Sequence, residues 1–338
     1  RNIVYKVGII GCGKILERHV EAINENDNFT LVALCDSEQS KLGELYNKYG
    51  VPTTTIYEEL IKFHDINLVV VATPNSFHFE HAKYALENGC DVIVEKPVSL
   101  NPKHIDALCK IADKNNQKAY AVLQVRLNPT VKIIKDLLND NFLGNIRGVS
   151  LIQRWQRPFS YFSGWRSEPM IGGGTLYECG IHYLDVLCQL FGESNVISTK
   201  VYNTKHKHVE IEDTIYSLLD FGEFGGSIEV NVSSEPSNLE CSISIIGEKG
   251  YIKIGGSALN KIEDSKFTNT DLAAKFNNII KDMPNSIEVN SYGTHKGSCP
   301  NHPSLYGRLA EFELIESKAA ISLIDKIYKK INIQYYGE

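Results

Sequence analysis

The sequence contains no long apolar run. Stretches such as Leu68 to Ala72 stop far short of the ~20 residues that cross a bilayer. Nor does it open on a charged segment leading into an apolar stretch of export length, so neither a membrane span nor a signal peptide is expected. Basic blocks are missing too: 35 Lys and Arg face 41 Asp and Glu, a formal charge of −6, which argues against nucleic acid as a partner. The eight cysteines include no C-x-x-C pair and no Cys/His cluster at zinc spacing, so no metal is expected. They read as scattered reduced thiols, and the expected location is the cytoplasm. Internal repeats and low-complexity tracts are also absent.

What is present is an ordinary globular composition. With 338 residues, 43% apolar and 22% charged, the chain is long enough for two domains. Up to about residue 120, short β-branched runs alternate with helical stretches, the α/β pattern of a doubly wound parallel sheet. Strands are predicted at 5–10, 30–35, 68–72, 91–94 and 119–123, with a short extended piece at 53–55. Helices are predicted at 14–26, 37–49, 57–63, 76–88 and 102–115. Pro102 opens the last of these at its first turn, and Gly89 stands where a C-cap belongs.

From Asn145 strand-like runs follow one another at 146–156, 196–203, 214–221, 226–234, 241–247 and 250–254, which predicts a mixed or antiparallel sheet. One helical stretch, 174–191, interrupts them, and helical segments near 304–331 follow. Residues 256–303, with their Gly, Asn, Ser and Pro, give no clear expectation. The domains are therefore drawn at 1–123 and 124–338.

Between the first strand and first helix lies Gly11-Cys12-Gly13-Lys14-Ile15-Leu16. A G-x-G turn in that context lets backbone N–H groups meet a pyrophosphate at the helix N-terminus. The third motif position is Leu16 rather than Gly or Ala, and glycine turns of this kind also occur without ligands. Asp36 ends the second strand twenty residues beyond Leu16, where an acid accepts hydrogen bonds from ribose hydroxyls and repels a 2′-phosphate. NAD is the expected cofactor, and an N-cap role for Asp36 on the following helix is compatible with this. Thr73-Pro74-Asn75 forms a turn at the carboxyl edge of the sheet, where Rossmann-type ligands lie. His78 and His81 follow on a helix, and His81 reads as an ordinary surface or capping residue.

Glu95-Lys96-Pro97 follows the strand at 91–94. A Lys held at the sheet's carboxyl edge can donate a hydrogen bond to a substrate hydroxyl and favour its alkoxide. The plainer reading is a solvated Lys beside a Glu. After Gly172-Gly173-Gly174, residues Glu178, His182 and Asp185 fall at i, i+4 and i+7 of a helix, and Gln189 continues the line. A narrow polar line on a helix otherwise apolar all round suggests a buried polar cleft rather than a solvated face. An imidazole with its ordinary pKa near ~6.5 is the natural acid/base, and a carboxylate one turn away can orient it.

Taken in order, Gly-Cys-Gly-Lys-Ile, Glu95-Lys96-Pro97 and Glu178-x-Gly180-x-His182-x-x-Asp185 resemble the Gfo/Idh/MocA oxidoreductases over nearly the whole chain. The resemblance implies an N-terminal Rossmann domain and a C-terminal α/β domain with an open, largely antiparallel sheet, often used in oligomer contacts. It implies Lys96 at the reacting hydroxyl and His182 as proton acceptor. Glu178 stands where many members have Asp or Asn, which leaves open whether it contacts substrate or repositions His182.

A narrower likeness rests on Gln124 to Pro129, Trp155-Gln156-Arg157-Pro158 with Tyr161, Gly164-Trp165-Arg166, and Asn301 to Tyr306. These are similar to the branch that oxidises the sugar 3-hydroxyl of UDP-N-acetylglucosamine and UDP-N-acetylglucosaminuronate, in pathways to bacterial surface polysaccharide. The likeness implies Gln124, Trp165 and Arg166 near NAD, and Arg157 and Tyr161 facing a nucleotide sugar. A guanidinium fork suits carboxylate or phosphate, although packing and surface charge would also account for these residues.

The expected activity is thus NAD-dependent oxidation of a secondary hydroxyl, C3, of a UDP-linked N-acetylamino sugar by a homo-oligomeric enzyme. The alternatives are a dehydrogenase of a free polyol such as an inositol, a glycosidase that oxidises its sugar transiently, and a non-catalytic NAD-binding sensor.

Overall fold

The computed structural model describes residues 4–63, 65–284, 288–292 and 295–337. In chain order the elements begin with β1 (Tyr5–Ile10), α1 (Leu16–Asn24), β2 (Phe29–Cys35), α2 (Gln39–Tyr49), β3 (Thr53–Thr54), α3 (Tyr57–Phe63), β4 (Leu68–Val71), α4 (His78–Glu87), β5 (Asp91–Val94), α5 (Pro102–Lys114) and β6 (Ala119–Ala121). They continue with α6 (Pro129–Asn139), β7 (Ile146–Arg154), α7 (Pro169–Gly172), α8 (Ile181–Phe191), β8 (Asn195–Tyr202), β9 (Thr214–Asp220), β10 (Gly225–Asn231), β11 (Glu240–Gly247), β12 (Gly250–Gly255), β13 (Lys261–Phe267), α9 (Thr270–Ile280), α10 (His302–Tyr306) and α11 (Lys318–Lys329). Among the described residues no helix is long and apolar enough to cross a membrane.

The chain forms two compact units. The first comprises 1–123, 170–172 and 302–321, and the second 124–169, 173–301 and 322–338. The sequence reading drew a single cut after residue 123; the compact units also group 170–172 and 302–321 with the first. The reason is physical: the backbone carbonyl of Phe312 accepts the amide of Ala121 on β6 (2.9 Å), and α10 packs along α1. Burial of α10 side chains against the first unit outweighs their closeness in sequence to the second.

In the first unit six strands run in the order β3-β2-β1-β4-β5-β6, every adjacent pair parallel. This is the Rossmann arrangement. β4 reads Leu-Val-Val-Val because both faces of a central parallel strand are covered, and all four residues are wholly buried.

In the second unit seven strands run β13-β12-β11-β7-β10-β9-β8, antiparallel except for the β7–β10 pair. One face carries the core side chains Leu151, Ile215, Ile228, Ile243 and Ile252. The other holds an ion-pair ladder in which Arg154 bridges Glu229 and Glu240, and Lys253 bridges Glu240 and Glu263. β13, α6 and α9 had no counterpart in the sequence reading.

The stretch 174–191 is not one regular helix. A single π turn over Leu176–Gly180 leads into α8. Ahead of it Gly173 and Gly174 take positive φ (85° and 83°), and a Cβ at Gly174 would lie 2.7 Å from the Tyr328 hydroxyl. All eight cysteines are free, and only Cys109 is not buried.

Candidate active site

At the carboxyl edge of the first sheet the two motif glycines have different reasons to be glycine. Gly11 has φ of +97°, and a Cβ there would lie 2.4 Å from the carbonyl oxygen of Ala72 and 2.7 Å from the nitrogen of Thr73. The crossing of the β1 and β4 ends therefore demands it. Gly13 has no positive φ, and a Cβ there would meet nothing within 4 Å. Nothing in the chain itself needs a glycine at that point, and the open space leaves the backbone accessible to a group from outside. That open cradle at the start of α1 fits a pyrophosphate.

Asp36 is held beside this turn. Its Oδ2 accepts the backbone N–H of Cys12 (2.9 Å) and its Oδ1 that of Glu38 (2.9 Å), with the Lys41 ammonium 3.6 Å away. The carboxylate thus joins the glycine turn to the entry of α2, two positions upstream of the N-cap residue Glu38. Lys14 and Ile15 lead into α1.

The turn after β4 is fixed by histidines. His78 is buried, with Nδ1 2.7 Å from the carbonyl of Pro97 and Nε2 2.7 Å from that of Thr73, so it ties the loop after β4 to the loop after β5. Asn75 is buried and donates to the carbonyl of Gly172 (2.7 Å). His81 lies 3.0 Å from the Thr73 hydroxyl and under the ring of Tyr57. Burial pushes its pKa down to about 4. Pro74 leads into the turn that precedes α4.

Lys96 follows β5, and its backbone N–H donates to Oε2 of its neighbour Glu95 (3.0 Å). The other Glu95 oxygen faces the imidazoles of His19 (3.0 Å) and His302 (3.4 Å). Glu95, expected near the cofactor, therefore has its carboxylate engaged inside the first unit. Sequence reading did not foresee this pairing, because the two histidines stand 76 and 207 residues away.

In the second unit the polar line of Glu178, His182 and Asp185 is buried. Asp185 is paired with Arg126, whose Nε donates to Oδ2 (2.7 Å) and Nη2 to Oδ1 (2.6 Å). Arg126 was not singled out in the sequence. Glu178 Oε2 accepts from Arg166 Nε (2.6 Å) and from the Tyr161 hydroxyl (3.2 Å). The Arg166 guanidinium also stacks 4.2 Å from the Trp165 ring. Burial opposes the charge of Arg166, and the adjoining Glu178 carboxylate more than restores it.

Arg157 is different. It is 3% exposed, and its guanidinium lies 4.4 Å from the Trp155 ring and 5.1 Å from that of Tyr161. One terminal nitrogen donates to the carbonyls of Gln156 (2.8 Å) and Lys296 (3.1 Å), while Nε has no partner among the described residues. No described carboxylate forms an ion pair with it. Gln124, also buried, donates to the Ser298 hydroxyl (3.3 Å) and keeps an unpartnered Oε1 among the described residues.

The two glycines should respond differently to a methyl group. Gly11→Ala forces a strained φ and a backbone clash and should lower unfolding stability by about 1–3 kcal/mol. Gly13→Ala should leave the melting temperature of the cofactor-free protein unchanged yet weaken NAD binding by titration. Equal loss of stability in both would contradict this distinction.

His81 makes a pH prediction. Its folded pKa lies below that of the unfolded chain, so the unfolded state binds the extra proton as pH falls through about 6.5, and stability drops until about pH 4. His81→Gln should flatten that part of a melting-temperature profile. An unchanged slope would show that His81 does not titrate as described.

Comparison with known proteins agrees with this geometry. Residues 5–123 match the family described as "Oxidoreductase family, NAD-binding Rossmann fold", and residues 131–253 match the "GFO/IDH/MocA C-terminal domain". "Oxidoreductase P35" of Formosa agariphila is 32% identical over 254 residues, 72% of this chain and 77% of that protein. "Glucose-6-phosphate 3-dehydrogenase" of Bacillus subtilis is 28% identical over 264 residues, 73% of each. The fold is similar to the WlbA dehydrogenase from Bordetella pertussis, crystallised with NADH and UDP-GlcNAcA, at a TM-score of 0.85 and 26% identity over 97% of this chain and 95% of that one. With a glycine cradle and an acid at the carboxyl edge of a six-stranded parallel sheet, and a matching second domain, the chain belongs to the Gfo/Idh/MocA family of NAD-dependent oxidoreductases.

Proposed function

We propose that this oxidoreductase acts on a negatively charged sugar, a UDP-linked N-acetylamino sugar oxidised at its C3 hydroxyl. The observation that carries the reading is Arg157, a buried guanidinium braced by two aromatic rings and without a carboxylate among the described residues. A buried cation without a counter-ion is costly, and a phosphate or carboxylate of the substrate supplies one. Two other arginines of this unit differ: Arg126 and Arg166 are already neutralised by Asp185 and Glu178. The fold likeness to a dehydrogenase crystallised with UDP-GlcNAcA supports the same substrate class.

NAD, when bound, supplies the hydride acceptor. In this reading Gly11, Cys12, Gly13, Lys14 and Ile15 hold its pyrophosphate and Asp36 its ribose. Thr73, Pro74, Asn75, His78 and Lys96 line its course along the sheet edge, and the same reading assigns Gln124, Trp165 and Arg166 to NAD. Lys96 donates a hydrogen bond to the reacting hydroxyl and steadies its developing negative charge. His182 takes the hydroxyl proton. Glu178, with Tyr161, contacts the sugar while holding Arg166 in place. A homo-oligomer in the cytoplasm completes the reading; Tyr216, Leu218, Ile246 and Tyr251, exposed on the second sheet, support the association.

A sugar phosphate is the second reading, favoured by the likeness to a glucose-6-phosphate 3-dehydrogenase and by the same Arg157. The two separate in one experiment. UDP should raise the melting temperature of the NAD-bound protein, because a ligand specific to the native state stabilises it, and Arg157→Ala should abolish the rise. A shift with glucose 6-phosphate and none with UDP would favour the second reading. A shift with neutral polyols alone would overturn both.

His182→Asn should keep NAD affinity while turnover falls by roughly 10²–10⁴-fold, the usual cost of removing a general base. The acidic limb of the pH–rate profile should disappear from the residual activity. Full turnover with that limb intact would remove His182 from the reaction.

A further inference from the structure

Glu95 is the first residue after β5, and its carboxylate turns into the interior of the first unit, where the residue is 7% exposed. Three other buried side chains meet it or its partners. Nε2 of His19 on α1 lies 3.0 Å from Oε1, and Nε2 of His302 on α10 lies 3.4 Å from the same oxygen. Both imidazoles are 0% exposed and meet edge to face, 5.2 Å between centroids. The Tyr306 hydroxyl, one turn further along α10, is 2.8 Å from Nδ1 of His19.

The proton arrangement follows from the partners. Burial alone would favour a neutral carboxyl, but the two imidazoles outweigh it and hold Glu95 well below the usual carboxylate range. Burial likewise keeps His302 neutral. An ionised Glu95 can only accept, so each Nε2 donates to it, while the Nδ1 of His19 pairs with the Tyr306 hydroxyl. Oε2 then remains for one further donor, the backbone N–H of Lys96 (3.0 Å).

We propose that His19, Glu95 and His302, with Tyr306 behind them, are positioning residues for Lys96. The network clamps the backbone from which the lysine side chain departs. This inference rests on the role given to Lys96 in the proposed function. Its logic is rigidity: a carboxylate held by rings from two separate helices cannot swing, so the amide it accepts is fixed as well. A displacement of about 1 Å at a reacting group can cost ~10²-fold in rate.

A double-mutant cycle on the full chain with NAD tests the proposal, using the substrate that gives turnover in the preceding assay. Glu95→Gln, which keeps size and removes charge, should lower kcat by about 10²-fold and leave the Kd for NAD and the KM for sugar near their unmodified values. In a Lys96→Met background the same change should cost nothing further, because its effect passes through the lysine. Tyr306→Phe removes only one hydroxyl and provides a milder cycle if Glu95→Gln does not fold; it should show a smaller kcat loss, again absent in the Lys96→Met background.

Losses that multiply in the double variants would overturn the inference, since a merely structural role adds to any other defect. Stoichiometric transition metal retained by the purified enzyme and lost in His302→Ala would also overturn it, making the three groups ligands instead. Full turnover in Lys96→Met is a separate result: it removes the proposed role of Lys96 and, with it, this inference.

Discussion

Six strands of the first sheet run in one direction, and each therefore delivers its following loop to the same edge. Every other feature of that unit answers to this crowding. The β1 turn passes the end of β4 so closely that only a glycine fits at position 11. Thr73, displaced by no side chain there, can lend its carbonyl to His78, whose other nitrogen faces the Pro97 carbonyl after β5. Asp36 closes the opposite side by accepting the Cys12 amide. Four neighbouring strand ends, those of β2, β1, β4 and β5, are thus held together, and the open face of Gly13 is left uncovered.

The second unit solves another problem, that of keeping charge inside. Asp185 and Glu178 are buried on one polar line, and each has its own arginine: Arg126 grips the first with two nitrogens, Arg166 reaches the second with one. A buried pair of this kind contributes little net stability, yet losing one partner is expensive, so these pairs fix geometry more than they strengthen the fold. Against that background Arg157 is an exception of kind rather than degree. Aromatic faces and carbonyl oxygens ease its burial without neutralising it.

Much of this was readable beforehand. Strands β1 to β6 and the helices between them follow from alternating apolar runs, and the buried stripe at Glu178, His182 and Asp185 from helical spacing. α6 was missed in the sequence reading, although Val131, Ile134 and Leu137 repeat along one face behind Pro129. β13 was not legible: Lys261–Phe267 lies at the sheet edge with no residue fully buried, so no alternation marks it. α9 buries only Phe276, too little for a periodic signal. The π turn at Leu176–Gly180 eluded a pattern that assumes 3.6 residues per turn. Partnerships across long separations, Arg126 with Asp185 and His302 with Glu95, leave no local trace, because tertiary packing alone creates them.

The return of residues 302–321 to the first unit has a consequence for how the chain is made. Synthesis delivers all six strands of the parallel sheet early, but the last supports of that sheet emerge only after the entire antiparallel sheet. Until then Ala121 lacks the Phe312 carbonyl, and Glu95 has a single imidazole instead of two. The usual order in which an N-terminal domain finishes folding before its successor appears is closed to this protein. Its first unit is completed only once nearly all of the second, except 322–338, has been made.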